Sequence, residues 1–208
     1  MMRRSALSRR SVLSSALGVA ALSLRQQVRA EESPEILLGH RAPGRVSPPV
    51  AMPHLPLILD DGHKTDLASL MTGKLTALQF VLTGCSSICP ILGTIFARVQ
   101  DELGDDAEAP FQLVSFSLDP FGDTPESFAK WLAGFGAGPR WRGAIPQTEQ
   151  GRIISLLDGW GLSSGTSTAF HTETILLIDS SAKLVFRSPD LPDPPVVASL
   201  MRQLASPV

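Results

Sequence analysis

Apolar residues in this chain form two kinds of run, and their alternation lays out the architecture. Leu75 to Leu82 and Phe111 to Leu118 are short, nearly continuous apolar stretches, as expected of strands buried on both faces. Between them, Ile91 to Leu103 has helical spacing, and Pro90 can open that helix because its missing N–H would have no intrahelical partner there. Leu55 to Leu59, then Asp60-Asp61-Gly62 and a short polar segment, read as a hairpin, followed by one helical turn over Asp66 to Leu70. Asp119-Pro120-Phe121-Gly122 is turn chemistry. A helix follows through Phe135, with Asp123 or Thr124 as its cap and Glu126 reaching back. Gly134 to Gly143 reads as a loop and Thr148 to Trp160 as another helix. Thr172 to Asp179 and Lys183 to Arg187 read as a hairpin about Ser180-Ser181, and Pro194 to Leu204 as a closing amphipathic helix. Glu31 to Pro53 has much Pro, Gly and Arg and no period, so residues 31–53 read as a linker or irregular lead-in. The element order predicts one α/β domain over residues 54–208, with a central mixed sheet and helices on both faces.

The first 30 residues follow another pattern. Ser8-Arg9-Arg10-Ser11-Val12-Leu13 resembles a twin-arginine export motif, an uncharged run continues to Leu24, and Val28-Arg29-Ala30 offers a small-x-small cleavage site. That run is shorter than the ~20 residues a membrane span needs. Residues 1–30 therefore read as a signal peptide that directs the chain to the periplasm. An uncleaved anchor in the inner membrane, facing the periplasm, is the alternative. Six of the 18 Lys and Arg and none of the 20 Asp and Glu precede Glu31, so cleavage would leave 12 against 20, a formal net charge of −8. Such a chain lacks the basic face a nucleic-acid partner requires.

Both cysteines lie in Cys85-Ser86-Ser87-Ile88-Cys89-Pro90, between a buried strand and a helix start. The positive end of a helix favours thiolate, the form that binds metal and attacks disulfides. A cysteine pair at that junction fits a thioredoxin-like arrangement, although the spacing is C-x-x-x-C. Thiolates select Cu(I) or zinc, and two are too few for a closed site. Four histidines are available, His40, His54, His63 and His171. In a thioredoxin-like sheet the loop before the Thr172–Asp179 strand lies beside the cysteine loop, which makes His171 the candidate third ligand. The competing readings are a structural disulfide, a strand-edge role for His171, and an accessory copper site at Met52 and His54. Trp131, Trp141 and Trp160 read as packing residues.

Three segments carry a resemblance to a known family. Thr83-Gly84-Cys85-Ser86-Ser87-Ile88-Cys89-Pro90, Ser117 to Pro125 with its D-P-x-x-D-T-P pattern, and His171-Thr172 before an apolar strand resemble the Sco/SenC family. The order is the family's, and the resemblance runs from about Leu55 to Arg202. It implies a thioredoxin-fold copper protein that holds one copper ion, as Cu(I) or Cu(II), through Cys85, Cys89 and His171. It also implies a chaperone or thiol reductase for the binuclear copper centre of cytochrome c oxidase, with subunit II as the candidate recipient. If thiols exchange, Cys85 and Cys89 are the redox-active pair, and the alternative function is a periplasmic thiol–disulfide oxidoreductase or redox sensor. Asp119 and Asp123 match the family's aspartates and read as turn and helix-cap residues. Ser86-Ser87-Ile88 and Phe170 stand where the family commonly has acidic neighbours, and the chain has no Tyr.

Overall fold

The two apolar runs read as buried strands lie side by side at the centre of one sheet. The structure, a computed structural model, describes residues 42–104, 109–162 and 172–205, which all belong to one unit, 34–208. In chain order the elements are β1 (Gly44–Ala51), β2 (Pro56–Leu59), β3 (Lys64–Asp66), α1 (Leu67–Met71), β4 (Leu75–Val81), α2 (Ile88–Leu103) and β5 (Phe111–Ser117). Then come α3 (Pro125–Gly134), β6 (Trp141–Pro146), α4 (Gln150–Gly159), β7 (Thr174–Ile178), β8 (Lys183–Asp190) and α5 (Pro194–Ala205). Among the described residues the sheet has eight strands in the order β1-β8-β7-β4-β5-β6-β2-β3. β4, β5 and β6 run parallel, and every other neighbouring pair is antiparallel. The β4-α2-β5-α3 unit with the β7–β8 hairpin and α5 forms a thioredoxin-like core within this mixed α/β sheet.

All seven residues of β4 are buried because helices cover both of its faces. Leu75, Ala77 and Val81 share one apolar cluster with Phe96 of α2, Phe128 of α3 and Met201 of α5. Leu78 and Phe80 point the other way, toward Leu67 of α1 and Ile153 and Leu157 of α4. Each such large side chain contributes about 1.5–3 kcal/mol by leaving water. The Ser115 hydroxyl accepts from Gln79 Nε2 at 2.8 Å and from Trp141 Nε1 at 2.9 Å, a polar tie across the three parallel strands. Trp141 and Trp160 are core residues, and Trp131 is half-buried against Phe128, Phe135 and Trp141.

The structure corrects the expected layout at four places. Gly44–Ala51, inside the stretch expected to be irregular, is an edge strand that pairs only with β8. Its Pro48 and Pro49 are tolerated because an edge strand has unpaired positions, and the register shifts between Arg45 and Val50. Trp141 to Gly143, expected as loop, begins β6, where Gly143 makes room for Phe128: a Cβ there would lie 2.2 Å from the ring. α2 begins at Ile88, so Pro90 is the third helical residue, still within the turn whose N–H groups have no partner. Finally, of the two expected caps of α3 it is Thr124 that serves: its hydroxyl accepts from Ser127 N–H, and Ser127 Oγ, in the place expected of Glu126, accepts from Thr124 N–H. Neither Asp123 nor Glu126 takes part in that capping box.

Candidate metal and thiol site

The early start of α2 sets the two sulfurs apart. Cys89, in the first turn, is 3% exposed and packs with Leu92, Phe96 and Val81. Cys85, in the loop before the helix, is half-buried, and both thiols are free. Ser87, the cap residue, makes no side-chain cap hydrogen bond. The N–H groups of the first turn of α2 favour negative charge at the loop where Cys85 sits. Burial disfavours thiolate at Cys85. Hydrogen bonds from the Ser87 hydroxyl, 3.5 Å away, the Cys89 N–H, the Cys89 thiol and the Ser87 N–H outweigh it and bring Cys85 down to about 6. Burial dominates at Cys89 and pushes it up to about 12. The Leu82 backbone opposes this, while the neighbouring Cys85 and the Asp123 carboxylate add to it.

Asp123 anchors the loop from its polar side. Its Oδ1 accepts from the backbone N–H of Thr83 at 3.1 Å and from the Thr83 hydroxyl, and its Oδ2 accepts from Ser117 Oγ at 2.6 Å. The carboxylate thus joins the residue two before Cys85 to the end of β5. The expectation of a helix cap missed this role, because a contact with Thr83, 40 residues earlier, leaves no local signal in the sequence. Asp119 does act in the turn, accepting from the N–H groups of Phe121 and Gly122. Gly122 lets the Asp119 carboxylate fold over the turn, since a Cβ would lie 2.2 Å from Asp119 Oδ2 and displace it.

Cys85 stands between two depressions. A polar cleft of about 470 Å³ runs toward Asp119 and Asp123. On the other side a groove of about 430 Å³ lies between the start of α2 and α3, lined by Pro90, Lys130, Trp131 and Phe135. The Phe135 ring rests on Gly93 of α2, where a Cβ would come within 2.5 Å of it. Sequence reasoning missed this groove, although Ser127, Trp131 and Phe135 recur at four-residue intervals on one helix face.

The candidate ligands fare differently. Cys85 and Cys89 meet at the start of α2. His171 and His40 lie outside the described residues. β7 runs antiparallel to β4, with Leu176 opposite Leu78, so the start of β7 lies at the sheet end from which the cysteine loop leaves. Thr172, the first described residue there, is buried. His54 Nδ1 pairs with Asp66 Oδ1 at 3.1 Å, and His63 sits in the β2–β3 turn, on the far side of β5 and β6 from β4. Met52 is a core residue, which removes the Met52–His54 copper site. Among the described residues no group of three or more His, Cys, Asp or Glu could hold a metal ion, and no helix is long and apolar enough to cross a membrane.

Comparison with known proteins agrees with this arrangement. The SCO1 protein homolog of Bacillus subtilis is 31% identical over 75 residues, 36% of this chain and 38% of that relative's length. Among solved structures, Arabidopsis thaliana ScoI with copper bound matches with a TM-score of 0.57 at 20% identity, over 73% of this chain and 96% of that one. BsSco, described through a disulfide switch and as a member of the Sco family of cytochrome c oxidase assembly proteins, matches with a TM-score of 0.63 at 18% identity, over 80% and 98%. The SCO1/SenC family itself matches residues 51–206, three quarters of the chain and both cysteines, and the chain belongs to that family.

Proposed function

We propose that this protein carries copper as cargo, held by Cys85, Cys89 and His171, and delivers it to a copper-receiving partner outside the cytoplasm. The observation that carries this reading is the unequal thiol pair at the start of α2, in a chain of the SCO1/SenC family. Cys85 offers a thiolate near neutral pH, and a soft cation can displace the proton that burial holds on Cys89. The β4–β7 register supports His171 as the third donor. Likeness to solved structures described as copper-bound and as cytochrome c oxidase assembly proteins supports that oxidase as the recipient, and the family resemblance makes its subunit II the candidate. Residues 1–30 support export by the twin-arginine route to the periplasm. Mass spectrometry of the exported chain should find an N-terminus near Glu31, and an intact Met1 would favour the anchored alternative.

The test of the copper reading is titration with both oxidation states. The Cys85/Cys89 double serine variant should bind neither. His171→Ala should keep part of its Cu(I) affinity and lose nearly all Cu(II), which prefers nitrogen. Unchanged Cu(II) binding in His171→Ala would remove that ligand and favour a second reading, thiol reduction. The half-buried Cys85 beside a buried Cys89 supports it. Cys85 would attack a client disulfide and form a mixed disulfide; Cys89 would lose its proton and close on Cys85. The client would leave with two thiols, and this chain would keep the disulfide.

A further inference from the structure

The groove beside Cys85 has a built floor and one charge. The Phe135 ring at its base is seated on Gly93 of α2, which leaves no room for a Cβ there. Trp131 and Phe135 pack at 4.7 Å between ring centres, with their planes tilted by 55°, and both line the groove with Pro90. Ile91, next in α2, is 49% exposed and extends the apolar surface. Lys130 is the only charged residue on the lining, is exposed, and has no ion pair among the described residues. The chain as a whole is acidic, with a formal net charge of −2, so this cation stands against the general balance. At the end of the groove is the half-buried Cys85 sulfur.

We propose that this groove seats the client polypeptide: an extended segment whose cysteine meets Cys85, whose neighbouring large apolar side chain lies on Trp131 and Phe135, and whose acidic residue faces Lys130. Aromatic walls supply most of the contact energy in such seats, and the lone cation sets orientation more than affinity. The proposal rests on Cys85 being the sulfur that meets the client, and it adds which sequences the protein accepts.

The experiment uses the full reduced chain carrying Cys89→Ser, with short peptides whose single cysteine is a mixed disulfide with 2-nitro-5-thiobenzoate. Cys85 attacks the peptide sulfur, the peptide–thiobenzoate S–S bond breaks, a Cys85–peptide disulfide forms, and thiobenzoate leaves with the electron pair as a coloured thiolate. Each rate is divided by the rate with 2,2′-dithiodipyridine, a small neutral disulfide, which cancels changes in Cys85 reactivity. Phe beside the cysteine should react about tenfold faster than Ala, on the scale expected for one buried aromatic side chain. Glu in the flanking position should react about threefold faster than Lys at low salt. Trp131→Ala should erase the Phe preference. Because that change loosens an aromatic cluster, Lys130→Glu is the second variant, and it should reverse the charge preference. Equal rates for Phe and Ala, or a charge preference that Lys130→Glu does not move, would overturn the proposal. So would disulfide-linked dimers of the chain forming faster than any peptide adduct, which would give the groove to a second copy. Copper stoichiometry measured on the Cys89-intact chain separates the two readings. In the chain with Trp131 and Lys130 intact, no peptide preference with copper bound overturns this inference alone, and no copper bound with the preference present overturns the copper reading alone.

Discussion

Cys85 lies in a loop tied down from the polar side, while Cys89, one helical turn later, lies in the apolar cluster beneath α2. Hydrogen-bond donors surround the first and hydrocarbon the second. Two sulfurs four residues apart thereby acquire different chemistry: one is ready to react near neutral pH and the other keeps its proton. The contrast comes from where α2 begins. Because α2 begins at Ile88, Cys89 falls in its first turn and turns into the apolar cluster, while Cys85 stays in the loop ahead of it.

The sharpest way to break this comparison is chemical labelling of the reduced, metal-free chain. At pH 7 iodoacetamide should modify Cys85 at least about a hundredfold faster than Cys89. The thiolate populations differ by more than this, but the lower intrinsic nucleophilicity of a low-pKa thiolate offsets part of the difference. Peptide mapping by mass spectrometry reads the order, and equal labelling would end the distinction.

The polar anchor comes next. Asp123→Ala leaves the Thr83 and Ser117 donors without their charged acceptor and should cost about 2–4 kcal/mol in urea denaturation. Thr124→Ala, at the actual cap, should cost only about 1 kcal/mol. The reverse ranking would return Asp123 to a capping role. On the apolar side, Gly93→Ala forces the Phe135 ring away from α2 and should cost about 1–3 kcal/mol, with Cys85 labelling less affected than stability.

The unequal pair also sets a pH dependence. Between about pH 6 and 9 the folded chain has lost the Cys85 proton and the unfolded chain still holds it, so stability rises with pH. Between about 9 and 12 the folded chain keeps the Cys89 proton that the unfolded chain loses, so stability falls. The pair's contribution is therefore greatest near pH 9. Urea midpoints across this range should lose the rising limb in Cys85→Ser.

How much of this was legible in the sequence depended on burial. β4 and β5 were readable because strands covered on both faces carry unbroken apolar runs. The β7–β8 hairpin and α5 were readable from turn chemistry and helical spacing. β1 was not, because an edge strand with two prolines and mostly exposed residues has the composition of a loop. β6 was hidden by Gly143, a residue that reads as a break and is present because Phe128 packs against the strand there. The cysteine pair announced itself by position. Asp123 did not: a carboxylate just before a helix resembles a cap, and only the tertiary fold shows that it reaches back to Thr83, 40 residues earlier.

The placement of Trp131 also equips the molecule with its own optical probe. Trp141 and Trp160 are each 2% exposed, the chain contains no tyrosine, and Trp131 alone of the three indoles is half-buried and lines the groove that ends at Cys85. Ultraviolet emission from the folded chain therefore divides into two shielded emitters and one that solvent reaches. A group joined to Cys85 that enters the groove changes the surroundings of the one emitter that solvent reaches, so its arrival there can be followed without attaching a dye.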